Sequence, residues 1–335
     1  MAQLPGWAQD DHAAALEAFI AACPANRDPA MDRACAAARR LGPLDEAAAR
    51  GFLEARFRTT LVGDVGLLTG YYSPDYEARA ARDLEFSAPL LPRPTDLLDV
   101  DAGLLDPARA GRRVAARRNA SGELRPYDDR AAIEGRDPPE VLAWMRPEDL
   151  FFLQIQGSGA LTFPDGRRLK AVFAGSNGLA FVAIGGIMAA QGLIPLGDAS
   201  AQSVRAWLAS HRGPQADAVM RLDPRYVFFR LISDDGSEPV GSAGVPLIAG
   251  RSIAIDPSAH PYGGLYWLDA DAPGLPGART RYRRLVVALD SGGAIQGATR
   301  ADLYLGRGTA AGDEAGRVRH ALRLYRLVPV DGAAP

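Results

Sequence analysis

Lysine is almost missing from these 335 residues: Lys170 stands alone among 38 basic side chains, and 40 acidic residues bring the net charge to −2. Non-specific phosphate binding needs a concentrated positive face, so this balance gives no general pull toward nucleic acid or an anionic membrane. The arginine excess travels with many alanines and glycines, a bias from which no function follows. Histidine and cysteine are scarce too. Structural zinc takes four ligands at close spacing, whereas His12, His211, His260 and His320 are scattered and Cys23 and Cys35 form one pair. In an exported protein that pair would close a short helix-turn-helix loop as a disulfide; in a cytoplasmic one it would be two reduced core thiols. Long apolar runs are also lacking. Leu179 to Ala189 is too short for a hydrocarbon layer of roughly 30 Å, which takes about 20 residues, and reads as a buried helix. The N-terminus has no basic stretch followed by an unbroken apolar core, because Glu17 interrupts the first apolar segment, so no export signal is visible. Gly-x-Ser-x-Gly, Walker and His-Glu-x-x-His motifs are absent, which removes the usual residues for serine hydrolysis, phosphate cradling and zincin chemistry. Gly157-Ser-Gly159 follows an apparent strand without a helix after it and makes no phosphate loop.

What is present describes a globular chain, 47% hydrophobic and 23% charged, long enough for two packed domains. Leu16, Phe19, Ile20 and Cys23 recur at helical spacing behind Asp10 or Asp11 as a cap, and two further helices are expected over 30–41 and 45–58. From Leu67 the texture turns to β. The Pro-, Arg- and Gly-rich stretch over 87–139 reads as long surface connection. Its five arginines between Arg109 and Arg118 suit either a solvated face or a contact for an anionic substrate or lipid. Leu150 to Gln156 reads as a strand, 181–189 and 201–210 as helices, the latter capped by Ser200, and 226–229 as a strand. After Pro239 short β segments follow one another at 252–255, 264–268, 285–289, 302–305 and 322–328, the pattern of a small barrel.

Three aspartates end or adjoin apolar strand-like runs in this last third: Asp256, Asp290 and Asp302. Carboxylates gathered in a partly apolar cleft raise at least one pKa, through desolvation and like charge, and so supply a general acid near neutral pH. The plainer reading of each alone is a turn residue that accepts backbone N–H bonds, and it is the three together that point to a site. Gly292, Gly293 and Gly297 permit backbone to approach a ligand, or serve turns. Leu289-Asp-Ser-Gly292 has the look of an aspartic-protease loop, but that chemistry needs two such loops and Ile255-Asp-Pro-Ser does not complete the pair.

Asp290-Ser-Gly-Gly-Ala-Ile-Gln-Gly297, Arg300-Ala-Asp302-Leu-Tyr-Leu-Gly306-Arg-Gly308 and Ala315-Gly316 resemble the 3D region of the membrane-bound lytic murein transglycosylase A family. Leu68 to Pro74, Phe152 to Gly159, Asp223 to Phe229, Leu4-Pro-Gly-Trp7 and the Cys23 region are similar to the same family, so the likeness runs along essentially the whole chain. Phe181 stands where a Tyr is more usual, and no lipoprotein cysteine is visible at the start.

The resemblance implies a mainly β, α+β fold: a double-psi β-barrel with N-terminal helices over 1–75 plus 238–335, and an inserted β-rich domain over 76–237 forming the other wall of a glycan groove. It implies a lytic transglycosylase that cuts the bond between N-acetylmuramic acid and N-acetylglucosamine and leaves 1,6-anhydro ends. Asp302 would be the acid and base, supported by Asp290 and Asp256, with Thr69, Tyr71, Tyr72, Gln154, Gln156, Ser158, Gly159, Gly292 and Gly293 toward the glycan. No metal or organic cofactor is implied. The expected partners are peptidoglycan strands and other cell-wall enzymes, not nucleic acid, for a monomer in the periplasm associated with the outer membrane. A non-catalytic glycan-binding scaffold of the same fold and a peptidoglycan hydrolase using two carboxylates remain as alternatives.

Overall fold

The computed structural model describes residues 1–111, 113–270 and 281–330, and divides into two compact units, Met1–Ser73 with Ser237–Pro335, and Pro74–Gly236. The first unit opens with α1 (His12–Ala22), α2 (Pro29–Leu41), α3 (Glu46–Arg56) and the long β1 (Phe57–Ser73). Asp11, Asp28 and Asp45 cap the three helices, each accepting a hydrogen bond from a backbone N–H in the first turn. The second unit holds β2 (Asp75–Glu77), β3 (Ala88–Leu90), β4 (Leu98–Asp101), β5 (Arg113–Arg118), β6 (Leu124–Pro126), α4 (Arg130–Glu134), β7 (Ala143–Met145), α5 (Pro147–Gln156), β8 (Ser158–Thr162), β9 (Arg168–Ser176), α6 (Ile184–Ala190), α7 (Ala201–Ser210), α8 (Pro214–Met220) and β10 (Val227–Ser233). The chain then returns to the first unit through β11 (Ser252–Ile255), β12 (Leu265–Ala270), β13 (Tyr282–Ser291), β14 (Arg300–Arg307), α9 (Gly308–Ala315) and β15 (Arg319–Pro329).

Six strands close a barrel in the order β1-β14-β11-β13-β12-β15. Two neighbouring pairs, β1 with β14 and β11 with β13, are parallel, and the other four are antiparallel. This is the strand plan of a double-psi barrel, in an α+β chain. Alternation along each strand sends one set of side chains inward, among them Leu68, Ile253, Val286, Leu303 and Leu324. The other set, with Trp267, Leu285, Val287 and Tyr304, packs outward into one core with Trp7, Leu16, Phe19 and Leu53 from the N-terminal segment. Arg251, buried, pins that segment to the barrel: its guanidinium donates to Asp10, to the Asp11 carbonyl and to the Leu285 carbonyl. Gly66 lets β1 pass close to Thr299, whose carbonyl accepts the Leu67 N–H and would lie 2.1 Å from a Cβ added at residue 66.

The second unit departs from the sequence reading in three places. Leu150 to Gln156 is the body of helix α5, not a strand. Pro147 at its first turn, Glu148 and Asp149 beside the positive end, and left-handed Gly157 at its close are start and stop signals that outweigh the β-prone composition. The 87–139 stretch is structured, with a β4-β5-β6 sheet, α4 and the strand β3, which pairs with β7 beyond it, and it buries Leu90, Leu97, Ala116, Tyr127 and Ile133. Arg113, Arg117 and Arg118 are tied to Asp99, Asp128 and Gly122, while Arg112 and the Arg109 side chain lie outside the described residues. Only the second half of the 179–189 segment is helical, as α6. A four-stranded β10-β9-β8-β2 sheet packs with α5 around Leu153, Leu161, Ala171 and Phe229.

Cys23 and Cys35 are bonded, with Cα atoms 5.9 Å apart, and join the end of α1 to α2 beneath the outward core. A cross-link over a loop of this length restricts the unfolded chain by about 3 kcal/mol. Replacing both cysteines by serine is therefore expected to lower the unfolding free energy by about 2–3 kcal/mol. Urea denaturation should show it, with reductant producing the same loss in the wild type and none in the variant.

Candidate active site

Asp302 lies at the centre of a row of residues that crosses five strands. Asp290 of β13 pairs with Ala254 of β11, Ala254 with Asp302 of β14, Asp302 with Thr69 of β1, and Thr69 with Arg319 of β15. Residues paired across neighbouring strands share a face, and the inward placing of Ala301 and Leu303 turns Asp302 outward. One irregularity makes the row. Ile253 pairs with Ala288 while Ala254 pairs with Asp290, so Leu289 is an extra residue. That bulge re-aims Asp290, which would otherwise follow Val286 and Ala288 into the barrel interior. Alanine at 254 leaves the space between the two aspartates unfilled by a larger side chain.

The two carboxyl groups are held in opposite ways. Asp302 Oδ1 accepts one hydrogen bond, from Thr69 Oγ1 at 2.5 Å, and Oδ2 has no hydrogen-bond partner among the described residues. Burial disfavours its charge and pushes it up to about 6, against the pull of the Thr69 hydroxyl and the Arg300 guanidinium and with a further push from Asp290. Asp290 is saturated. Its Oδ1 accepts from the Ser242 N–H, the Ser242 hydroxyl and the Ser291 N–H at 2.9, 2.7 and 2.9 Å, and its Oδ2 from the Tyr71 hydroxyl at 2.9 Å. The Tyr71 ring packs on Tyr304, whose hydroxyl donates to Glu238 at 2.6 Å. Burial, followed by the charge of Asp290, raises the Tyr71 hydroxyl well above its ordinary value, so it stays a donor.

Asp256 does other work. Its oxygens accept from the Ser258 hydroxyl at 2.6 Å, the Ser258 N–H at 2.9 Å and the Gly297 N–H at 2.7 Å, and these bonds hold its pKa below the usual carboxylate range. It ties the loop after β11 to the loop before β14, where Gly297 adopts φ +95°. Asp256 is thus the turn residue of the three, and Asp290 rather than Asp256 is the carboxylate that acts on Asp302.

The expected glycan contacts divide. Thr69 sits in the row and Tyr71 two residues further along β1, but their hydroxyls are engaged by Asp302 and Asp290. The partly exposed Tyr72 ring lies against Gly312 of α9, a position a Cβ would fill. Gln154, expected toward the glycan, is instead a core residue. It is buried on α5, accepts from Arg130 at 2.6 Å and donates to the Val227 carbonyl at 3.3 Å. Gly159 serves close packing, since a Cβ there would meet Leu153 at 2.8 Å and the Pro74 carbonyl at 3.0 Å. Gln156, at the end of α5, and Ser158, at the start of β8, are half-buried. Gly292 and Gly293 form the exposed loop after β13. Sequence reasoning missed Arg300. It donates to Thr69 Oγ1 at 2.8 Å and to the Leu67 and Ala301 carbonyls at 3.3 and 2.5 Å, and its position two residues before Asp302 was the only available signal. Among the described residues no group of three or more His, Cys, Asp or Glu is placed to hold a metal ion.

The family model for the MltA specific insert domain matches residues 67–230, and that for the 3D domain residues 251–328. A crystal structure of membrane-bound lytic murein transglycosylase from Agrobacterium tumefaciens superposes with a TM-score of 0.84 at 30% identity, over 98% of this chain and 95% of that one. The chain belongs to the lytic murein transglycosylase A family. That is a family of peptidoglycan-cleaving lyases. The membrane-bound lytic murein transglycosylase A of Escherichia coli K12 is 33% identical over 272 residues, an alignment that spans 79% of this chain and 66% of the Escherichia coli protein. A structure of E. coli MltA with bound chitohexaose matches with a TM-score of 0.65 at 26% identity, over 89% of this chain and 82% of that one. No helix among the described residues is long and apolar enough to cross a membrane.

Raising the Asp302 pKa costs stability, and the pH dependence follows from the sign. The folded value of about 6 exceeds the ordinary 3.8, so folding favours the protonated form. The penalty is absent below pH about 4, grows through pH 4–6 and is complete above pH about 6. Asp302→Asn is expected to stabilise the protein by about 1–3 kcal/mol at pH 8 and by little at pH 4. Denaturant titration of both proteins at the two pH values checks this. A gain of equal size at both would refute the desolvated carboxyl.

Proposed function

We propose that this chain is a peptidoglycan lytic transglycosylase in which Asp302 serves in turn as acid and base. Protonated, Asp302 donates to the glycosidic oxygen that leaves C1 of N-acetylmuramic acid, releasing the N-acetylglucosamine hydroxyl. As a carboxylate it then takes the proton of the muramic C6 hydroxyl, whose oxygen bonds to C1. One C–O bond breaks, one forms, and no water enters, which leaves a 1,6-anhydro end.

The observation that carries this reading is the contrast between the two neighbouring carboxyl groups. Asp302 is pushed up to about 6, where one group can both give and receive a proton near neutral pH. A hydrolase needs a second carboxylate, about 5 Å away as nucleophile or about 6.5–9.5 Å away as base for water. Asp290 accepts four hydrogen bonds and is poorly suited to either role. The lytic route has no need of one, because its nucleophile belongs to the sugar already bound and proximity supplies effective molarities on the order of 10⁵ M or more. Asp290 then tunes Asp302 by its charge and holds Tyr71, while Asp256 holds loops. The bound chitohexaose of the E. coli relative supports glycan strands as the substrate class, and the "membrane-bound" of the relatives' names supports a place in the cell envelope.

Mass spectrometry of fragments released from purified peptidoglycan, followed after borohydride treatment, tests the proposal. Products one water lighter than hydrolytic muropeptides and resistant to reduction are expected. Asp302→Asn should lower their yield on the order of 10²–10⁴-fold. Asp290→Asn should cost about tenfold, the effect of mis-setting one protonation by about one pH unit. Reducible products, or complete loss in a folded Asp290→Asn variant, would establish the two-carboxylate hydrolase. No release by the folded wild type would leave the glycan-binding scaffold.

A further inference from the structure

We propose that Arg300 is a positioning residue that acts through Thr69: it fixes the Thr69 hydroxyl as a donor to Oδ1 of Asp302, and so makes Oδ2 the oxygen that carries the transferable proton. The inference rests on the reading of Asp302 as acid and base and goes beyond it by naming the atom and the device that selects it.

A threonine hydroxyl has one hydrogen to give and two lone pairs. Arg300, a guanidinium with donors only, occupies one lone pair from 2.8 Å. Its own place is fixed by bonds to the Leu67 and Ala301 carbonyls and by its pairing with Leu67 across β1 and β14. The Thr69 hydrogen then has Asp302 Oδ1, at 2.5 Å, as its acceptor. With Asp302 protonated, two arrangements are available. If the acid proton sat on Oδ1 and pointed at Thr69, the Thr69 hydrogen would lose its acceptor beside a cation. If the proton sits on Oδ2, the Thr69 hydrogen keeps Oδ1 as its acceptor and Arg300 keeps its lone pair, which leaves the Oδ2 proton for a substrate. Oδ2 makes no hydrogen bond to the described residues and is the oxygen left for a substrate. The arrangement persists through turnover, because Thr69 stabilises the carboxylate that forms when Oδ2 gives up its proton, and Oδ2 remains the oxygen that takes the next one.

The surrounding charges are few. Arg300 lies on the same strand, Thr69 and Tyr71 on β1, Asp290 on β13, and the exposed Arg319 of β15 is near enough to Arg300 to act on its charge. β11 contributes only Ala254 to the row. Of the acidic residues of α9, which packs on β1 and β14, Glu314 accepts from the Tyr282 hydroxyl, and neither it nor Asp313 acts on Asp302. The effect of Arg300 on Asp302 thus runs by two routes, directly by charge and through the oriented hydroxyl, and the second can be removed by itself.

The test is a ¹³C NMR titration of the Asp302 carboxyl, assigned by its loss in Asp302→Asn, in the wild type, Thr69→Ser, Thr69→Val, Arg300→Met and the Thr69→Val/Arg300→Met double variant. Both lost contacts favour the ionised form, so their removal moves the midpoint upward. Thr69→Ser should stay within about 0.3 unit of the wild type. Thr69→Val and Arg300→Met should each rise by about one unit, the scale of a hydrogen bond to a charged group. In the Thr69→Val background Arg300→Met should add less than half its single shift. The alkaline limb of kcat/KM for fragment release should move with the midpoint. If Arg300→Met shifts the midpoint equally with and without the Thr69 hydroxyl, Arg300 acts by charge alone and the proposal fails; an unmoved midpoint in Thr69→Val also ends it. Should Arg300→Met not fold, Arg300→Leu gives the same comparison, again without a charge or a donor. The titration needs no turnover, so absence of product from the wild type would overturn the proposed function while leaving this result readable.

Discussion

The hydrogen bond between Thr69 and Asp302 joins residues 233 positions apart and exists because the barrel closes with β1 and β14 parallel. A parallel pair cannot be made by a hairpin; it needs a crossover, and here the crossover includes the whole second unit. Closure also solves a solvation problem. An aspartate at the middle of a sheet, flanked by paired backbone on both sides, has little water to itself, yet on the outward face it keeps a path to solvent. The inward face offers no such compromise, because it is filled by leucines, isoleucines and valines. The outward face beyond the row is covered by the N-terminal helices, held by Arg251 and the bonded cysteines. Remove that cover and the strands that carry Asp290 and Tyr304 lose the packing that fixes their side chains.

Three aspartates of similar sequence setting take three different states because their backbones deliver different numbers of donors. Asp256 ends its strand in a turn, so neighbouring N–H groups reach it and lower its pKa. Asp290 follows a bulge that turns it away from the interior toward Ser242 and Tyr71. Asp302 lies within regular pairing, where the backbone N–H groups belong to the ladders, and only one side-chain donor finds it. Desolvation therefore dominates at Asp302 and hydrogen bonding at Asp256. The difference in acidity follows from where in a strand each residue lies, without any special side-chain chemistry.

Much of this was legible in the sequence where local signals are sufficient. The capped helices, the Ser200 cap of α7 and the run of short strands after Pro239 each carry their signal within about ten residues. Leu150 to Gln156 was misread because phenylalanines and an isoleucine suggest a strand, while the deciding residues, Pro147, the acids after it and Gly157, lie at the edges. Gln154 was expected toward the glycan through the resemblance of its motif, and no residue beside it signals that it is buried. Arg130 was the missing information: buried between Phe151 and Tyr226, it needs acceptors, and Gln154 is one of them. The pairing of Arg300 with Thr69 was illegible for another reason. It depends on the β1/β14 register, and no residue near position 300 announces which residue near position 69 will stand opposite.

Whether one carboxyl can serve both halves of the proposed reaction depends on how little its surroundings change between them. Proton transfer from Oδ2 creates a charge in a site already set for it: Thr69 donates before and after, and Arg300 keeps the hydroxyl from turning. Preorganisation of this kind lowers the cost of forming the charge, since no dipole has to reorient during the step. A second, unsatisfied carboxylate nearby would work against it, because the two would compete for one proton and each would titrate with the other. The four donors around Asp290 guard against that by committing its oxygens elsewhere. On this argument the hydrogen bonds that saturate Asp290 are as much a part of the acid as the desolvation of Asp302, for they hold the neighbouring carboxyl on other donors while its charge helps to push Asp302 up.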